Sequence, residues 1–477
     1  MEIMKTLENE NRVEISEGIA ALASSLNECV NLFFQVGAMR GKDKNALLQM
    51  FSKAYSENPL VATKVLFWAR DARGGAGERQ IFRDILEYLV VNSTDVVRKN
   101  LSLIPEFGRW DDILLLVGTE VEGDVFDLIK TELDNENGLC SKWMPRKGKV
   151  ANAIRRSFKV SPKVYRKTLV ELTSVIETAM CAKDYSGVDY SKLPSLASSR
   201  YQKAFLRNDE VGYGEYKTAL ESGEAKVNAG AVYPYDIIKS MNFGGDKVVN
   251  NAQWESLPNF MEGSEERVLP VVDVSGSMSC SAGGNDNLTC MDVAISLGMY
   301  ISERNEGNFK DAFVTFSSNP QLQYLKGTLE QRLNQLRRAE WGMNTDINAV
   351  FELILNQAKM YNIPQDKMPT KILILSDMQF NSATNSRWGN QSDWNPSAQD
   401  MIESKYEDAG YNKPDVVYWN LNASMGNFPV EFDKMGTAMV SGFSPSILKS
   451  LLSGKSMTPE SILMETVGSE RYSLITI

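Results

Sequence analysis

The stretch Val268-Leu269-Pro270-Val271-Val272-Asp273-Val274-Ser275-Gly276-Ser277 decides how this chain is read. An apolar run rich in β-branched residues ends in an aspartate and two spaced hydroxyls. Helical spacing then resumes at Asp292-Val293-Ala294-Ile295-Ser296-Leu297. That order predicts a buried parallel strand delivering polar groups at its carboxyl end. An oxygen-only donor set suits a hard divalent cation such as Mg²⁺, with Mn²⁺ or Ca²⁺ as alternatives, rather than zinc. Alone, the D-x-S-x-S pattern is equally a serine-rich turn after a strand. Two later segments bear on the choice. Gly342-Met343-Asn344-Thr345-Asp346 precedes a helical run from Ile347 to Ala358, which puts Thr345 in a loop or helix start. Thr370-Lys371-Ile372-Leu373-Ile374-Leu375-Ser376-Asp377 is a second buried-strand pattern ending in a carboxylate.

Around these segments strand and helix patterns alternate. Ala312–Phe316, Ile372–Leu375 and Val416–Asn420 read as interior strands, and Thr437–Ser441 as the last, before a helix led by Ser444-Pro445. Such alternation predicts a doubly wound, mostly parallel sheet with its ligands at the strand carboxyl ends. The Asn- and Ser-rich stretch 381–397 would join the same rim.

The preceding half reads differently. Ile19–Val36 is an amphipathic stretch expected to pack as a capping helix. From Lys44 to about Leu133 short helical stripes follow one another, broken at Gly74-Gly75-Ala76-Gly77 and at Pro105 and Gly108. Short helix pairs that cannot bury their apolar faces alone must stack, which predicts a HEAT-like repeat solenoid or ring. An irregular helical domain is the alternative. The polar segment from Gly244 to Glu266 reads as a linker, dividing the chain into a helical domain, 1–260, and a sheet domain, 261–477.

Composition narrows the chemistry. The chain has 477 residues, 43% hydrophobic and 23% charged, as in an ordinary globular protein. No apolar run approaches the roughly 20 residues that span a bilayer. Met1–Lys5 lacks the features of a signal peptide, and five scattered cysteines without a C-x-x-C pair suit a reducing cytoplasm. The absence of histidine excludes Ser-His-Asp and Cys-His catalysis and every His-ligated zinc site. Without a Walker-type phosphate loop either, a protein that is not an enzyme is expected.

A second functional signal lies in residues 142–167. These 26 residues hold ten cations (Lys142, Arg146, Lys147, Lys149, Arg155, Arg156, Lys159, Lys163, Arg166 and Lys167) and no acid, in a chain of net charge −10. Lysine and arginine in such density attract polyanions, and neutralised phosphates supply the non-specific part of nucleic-acid affinity. Trp143, Phe158 and Tyr165 are interleaved and are candidates for stacking on bases. The alternatives are a solvated helix face paired with the acidic segment Glu120–Glu136, or a surface for an acidic protein.

The loops at Asp273–Ser277, Thr345 and Asp377 resemble, in that order, the metal-ion-dependent adhesion site of von Willebrand factor A domains. The resemblance implies Ser275, Ser277 and Thr345 as direct ligands, and Asp273 and Asp377 acting mostly through waters. One coordination position would then be open to a partner's Asp or Glu. The Gly/Asn-rich insert between Ser279 and Cys290 is longer than that family usually carries. Phe67-Trp68-Ala69-Arg70-Asp71 with Gly74–Arg79, Ile104–Asp111, and Pro194–Ser198 followed by Lys203-Ala204-Phe205 resemble an uncharacterised family related to the Ro (TROVE-type) ribonucleoproteins. In Ro, helical repeats close into a ring around a basic hole and an A domain joins the ends. Single-stranded ends of misfolded noncoding RNAs enter the hole. The expectation is therefore a cytoplasmic, non-enzymatic RNA-binding protein with a Mg²⁺-type site. The rivals are an A-domain adaptor that captures an acidic protein partner and, more weakly, a metal-dependent nuclease. The sequence sets no oligomeric state and names no RNA.

Overall fold

The computed structural model describes residues 12–15, 19–22, 24–173, 175–282, 288–316, 320–338, 347–378, 398–422, 428–453 and 457–477. The chain forms two compact units, residues 1–43 with 259–466, and residues 44–258 with 467–477. This differs from the division at 260/261 at both chain ends, each of which joins the unit formed mainly by the other half.

The first unit opens with an antiparallel hairpin, β1 (Arg12–Ile15) and β2 (Ile19–Leu22). Its main sheet comprises β3 (Val268–Asp273), β4 (Ala312–Phe316), β5 (Leu322–Tyr324), β6 (Lys371–Ser376), β7 (Asp415–Asn420) and β8 (Thr437–Ser441), in the order β5-β4-β3-β6-β7-β8. All neighbours are parallel except the β4–β5 pair. Val271 of β3 stands beside Val314 on one side and Ile374 on the other, and Ile374 beside Tyr418. β3 and β6 are buried along their whole length, which is why they read as unbroken apolar runs. The chain leaves β3 towards β4 on one side and later returns as β6 on the other. The carboxyl ends of β3 and β6 therefore flank the switch point where such sheets open a crevice.

The helix Cys290–Arg304 covers β3, and a Cβ at Gly298 would meet Val272 Cγ2 at 2.5 Å, so only glycine allows that approach. Thr289 and Asp292 start this helix with a reciprocal capping box.

Ile19–Val36, expected as one helix, splits into β2 and the helix Glu28–Val36. Leu26 breaks the run at φ 67°, and the Asn27 side chain accepts the Val30 N–H at 2.9 Å. Every residue from Cys29 to Val36 is buried. The helix packs on β8: Ser441 Oγ donates to the Phe33 carbonyl at 2.8 Å and accepts the Gly37 N–H at 2.9 Å. Asn420 Nδ2 donates to the Phe34 carbonyl.

The second unit is helical, with helices from five residues (Leu103–Phe107) to fourteen (Lys44–Glu57, Arg79–Asn92, Ser195–Asn208). Asn58 caps Pro59–Arg70, where proline occupies the first turn. The Gly74–Gly77 break is a tight return: Ala76 N–H reaches the Trp68 carbonyl, and a Cβ on Gly75 would lie 1.9 Å from that oxygen. The chain's last residues close on these helices. Arg471 and Tyr472 bond buried Asp71, the Tyr472 ring stacks on Phe107 at 5.4 Å, and Thr476 exchanges two hydrogen bonds with Asn100.

The Gly244–Glu266 segment is not an open linker. Asp246 caps the helix Lys247–Glu255, and Asn250, Gln253 and Trp254 are buried there. Among the described residues no helix is long and apolar enough to cross a membrane.

Candidate functional site

In the sheet unit, β3 ends on Asp273 and β6 is followed directly by Asp377, and both carboxylates are fully buried. One oxygen of Asp273 accepts the Ser275 N–H at 2.9 Å, and the other accepts the Ser376 hydroxyl. Ser275 Oγ and Ser277 Oγ lie 2.9 Å apart. Burial, reinforced by the neighbouring charge of Asp377, pushes Asp273 up to about 7. A buried pair of acids asks for either a proton or a cation. The donors are two carboxylates and two hydroxyls, which fit a hard divalent ion. Among the described residues no three His, Cys, Asp or Glu side chains cluster as a metal site, so any cation here would depend on the serines. Thr345 and the expected rim at 381–397 lie outside the described residues.

In the helical unit, residues 142–167 run from the end of one helix, Gly138–Trp143, through Gly148–Ser157 into Pro162–Leu172. Ala151 and Ile154 are the buried face of the second, and Tyr165 and Leu169 that of the third. The cations divide into two sets. Lys142 pairs with Glu177 at 3.6 Å, Arg146 donates to Thr173 Oγ1, Arg155 donates to Asn152, and exposed Lys167 lies 3.4 Å from Glu171. Lys147, Lys149, Arg156, Lys159, Lys163 and Arg166 are exposed and make no side-chain bond or ion pair among the described residues. Nor does any ion pair join the stretch to Glu120–Glu136 among the described residues.

Of the three candidate stacking rings, Phe158 is half-buried and the other two are held by the protein itself. Tyr165 is 3% exposed and its hydroxyl donates to the Pro145 carbonyl; burial pushes its pKa up to about 12. Its ring is core and cannot stack on a base. Trp143 is half-buried, with the Arg109 guanidinium 3.9 Å from its ring centre.

That arginine belongs to a group that charge counting missed. Buried Asp112 receives Arg70 through Nε and Nη2 at 2.9 and 2.8 Å, and Arg83 at 2.6 Å. Asp111 receives Arg79 and Arg109. Burial alone would raise Asp111, but the Arg109 hydrogen bond and the surrounding guanidinium charges hold it below the ordinary carboxylate range. The signal was present in Ala69-Arg70-Asp71 and Arg109-Trp110-Asp111-Asp112, whose charged residues sit beside apolar core positions.

A further feature, unmarked in the sequence, is a cavity of about 380 Å³ between the helices Ser195–Asn208 and Pro234–Asn242. Arg200, Lys203 and Lys239 line it with Asp236 and exposed Phe243. Two of its lining residues, Gln202 and Ser240, donate to the buried Asn250 side chain.

A family model described as a domain of unknown function, DUF2828, matches residues 16–142 and 135–266, more than half of the chain. The chain belongs to the DUF2828 family. A second model, the domain of unknown function DUF7788, matches residues 267–473. This DUF2828 member is also similar to the uncharacterized protein L728 of Acanthamoeba polyphaga mimivirus, 28% identical over 512 residues, covering 94% of this chain and 86% of the relative. Among solved structures, the crystal structure of the Deinococcus radiodurans Ro (RSR) protein aligns with 93% of this chain and 100% of its own, at 14% identity and a TM-score of 0.39. The DUF2828 match includes the helix Glu28–Val36, and the DUF7788 match includes Arg471 and Tyr472. Each family segment of this chain therefore contributes to both compact units.

Proposed function

We propose that this DUF2828 member is an RNA-binding protein of Ro-like type that works without catalysis in the cytoplasm. The observation that carries the reading is the set of six exposed cations, Lys149, Arg156, Lys163 and Arg166 on two helices anchored by Ile154, Tyr165 and Leu169, and Lys147 and Lys159 in the turns that precede them. A rigid cationic surface with no acids of its own to satisfy it attracts a polyanion. RNA rather than DNA rests on the sequence motifs shared with the Ro-related family. Single strands suit the site because cations and aromatic rings bind them without groove geometry. Phe158, half-buried within the stretch, is then a ring available to stack. Filter binding of single-stranded RNA across a salt series tests the proposal, with Lys147, Arg156, Lys163 and Arg166 changed together to glutamine. Binding to all sequences should weaken alike and depend less on salt, whereas unchanged affinity removes the role of this surface.

In the sheet unit we assign Asp273, Ser275, Ser277 and Asp377, with Thr345, to a Mg²⁺-type cation. Bound there, such an ion would offer a coordination position to a partner's carboxylate, and this supports the second reading, a protein-interaction adaptor. Calorimetric titration with Mn²⁺ tests it. Asp273→Ala and Asp377→Ala should each abolish binding while the melting transition persists, and binding retained in both variants overturns the assignment.

A further inference from the structure

The loop that leaves the serine-bearing turn Gly276–Ser279 returns at the start of the helix Cys290–Arg304, and its two ends run side by side. Ser281 bridges Thr289 in antiparallel fashion, Cys290 N–H donates to the Cys280 carbonyl at 3.0 Å, and Ala282 N–H donates to the Leu288 carbonyl at 2.7 Å. Cys280 and Cys290 thus face each other across a two-stranded ladder, with their Sγ atoms 3.3 Å apart. Opposed residues in such a ladder hold their Cα atoms about 4.5–5.5 Å apart, inside the range of roughly 4.4–6.8 Å that a disulfide spans. Closing the sulfurs to a bond length of about 2.05 Å then needs side-chain rotation, not a new backbone path.

The two thiols differ in surroundings. Cys290 is 1% exposed and its sulfur contacts the Leu421 carbonyl, whereas Cys280 is half-exposed and accepts from Asn422 Nδ2 at 3.5 Å. The more accessible sulfur, that of Cys280, is the one a disulfide arriving from solvent can reach.

We infer that Cys280 and Cys290 form a thiol–disulfide exchange site whose oxidant is a low-molecular-weight disulfide. The Cys280 thiolate attacks one sulfur of the small disulfide, forming a mixed disulfide and releasing one small thiolate. Cys290 then gives up its proton and attacks Cys280 Sγ, breaking the mixed disulfide and releasing the second thiolate. The two released thiolates take up the two protons lost by the cysteines. Two protein thiols are oxidised by two electrons, and one small disulfide is reduced to two thiols. The new bond would tie the serine-bearing turn, whose Ser277 carbonyl accepts the Cys280 N–H at 3.1 Å, to the first residue of the covering helix.

The test treats the full chain with oxidised glutathione and maps its cysteine peptides by mass spectrometry without reduction. Exposed Cys181 serves as the internal control for reagent activity. We expect a glutathione adduct on Cys181 and a Cys280–Cys290 cross-link two hydrogens lighter than the dithiol, reversed by dithiothreitol. Cys290→Ser should leave the adduct trapped on Cys280, and Cys280→Ser should leave Cys290 as a free thiol. Modification of Cys181 with both Cys280 and Cys290 still reduced overturns the inference, as does a cross-link from either one to a different cysteine.

Discussion

Two groups of cationic side chains in the helical unit look alike by count and behave oppositely in the fold. Arg70 and Arg83 turn inward onto Asp112, and Arg79 and Arg109 pair with Asp111 at the edge of the same group, so that all four charges are spent on carboxylates of the fold. Most of the cations of residues 142–167 stay in solvent, because the apolar positions of their helices leave them on the outer face, and six of them make no ion pair among the described residues. Charge density alone separates neither case. What separates them is the position of each cation relative to the buried stripe, and whether a carboxylate shares that side.

The comparison can be broken first at its buried end. Asp112→Ala leaves Arg70, only 4% exposed, without its partner, and should cost about 3–5 kcal/mol in a denaturant melt. Replacing Arg70 by methionine as well should recover much of that loss, and a mild effect of the single change would show that Arg70 finds water instead. Tyr165→Ala should fall in the same range, about 3–5 kcal/mol, since it empties a core position. RNA affinity per folded molecule should not change, and a selective loss of RNA binding would return the ring to the interface.

At the exposed end the expected effect is on binding and not on folding. If about five phosphates of a single strand are met, log affinity falls with log salt at a slope of about −3.5. The fourfold glutamine variant should flatten that slope while its stability stays within about 0.5 kcal/mol of the parent. A destabilised variant with intact affinity would place these residues with the inward group. The smallest effect tests the join between the groups. Trp143→Ala removes the ring under Arg109 and should cost about 0.5–2 kcal/mol of stability.

The strands that carry the candidate cation site were legible because burial on both faces writes them as unbroken apolar runs, Val268–Val272 and Ile372–Leu375. β5 was not: it is three residues long and antiparallel at the sheet edge, and both Leu322 and Tyr324 are exposed. The break at Leu26-Asn27 was available as a capping signal but was masked by apolar residues on either side. Tyr165 carried its own correction, since its spacing of four from Leu169 marks one helical face. The position of the chain's end was beyond any local pattern, because Arg471 and Tyr472 meet Asp71 across 400 residues. For Thr345, the described residues leave the sequence reading as it stood.

The helix Glu28–Val36 lies against β8, so it is made long before the strand it packs on. At translation rates of about 5–20 residues per second, roughly 20–80 seconds separate the emergence of Val36 from that of Ser441. For that interval a helix whose residues from Cys29 to Val36 are all buried in the fold, the Phe33 and Phe34 rings among them, has no sheet to cover it. Newborn chains of this protein should therefore be clients of holding chaperones at their amino-terminal end. Ribosomes that stall before codon 441 should release products that aggregate through that helix.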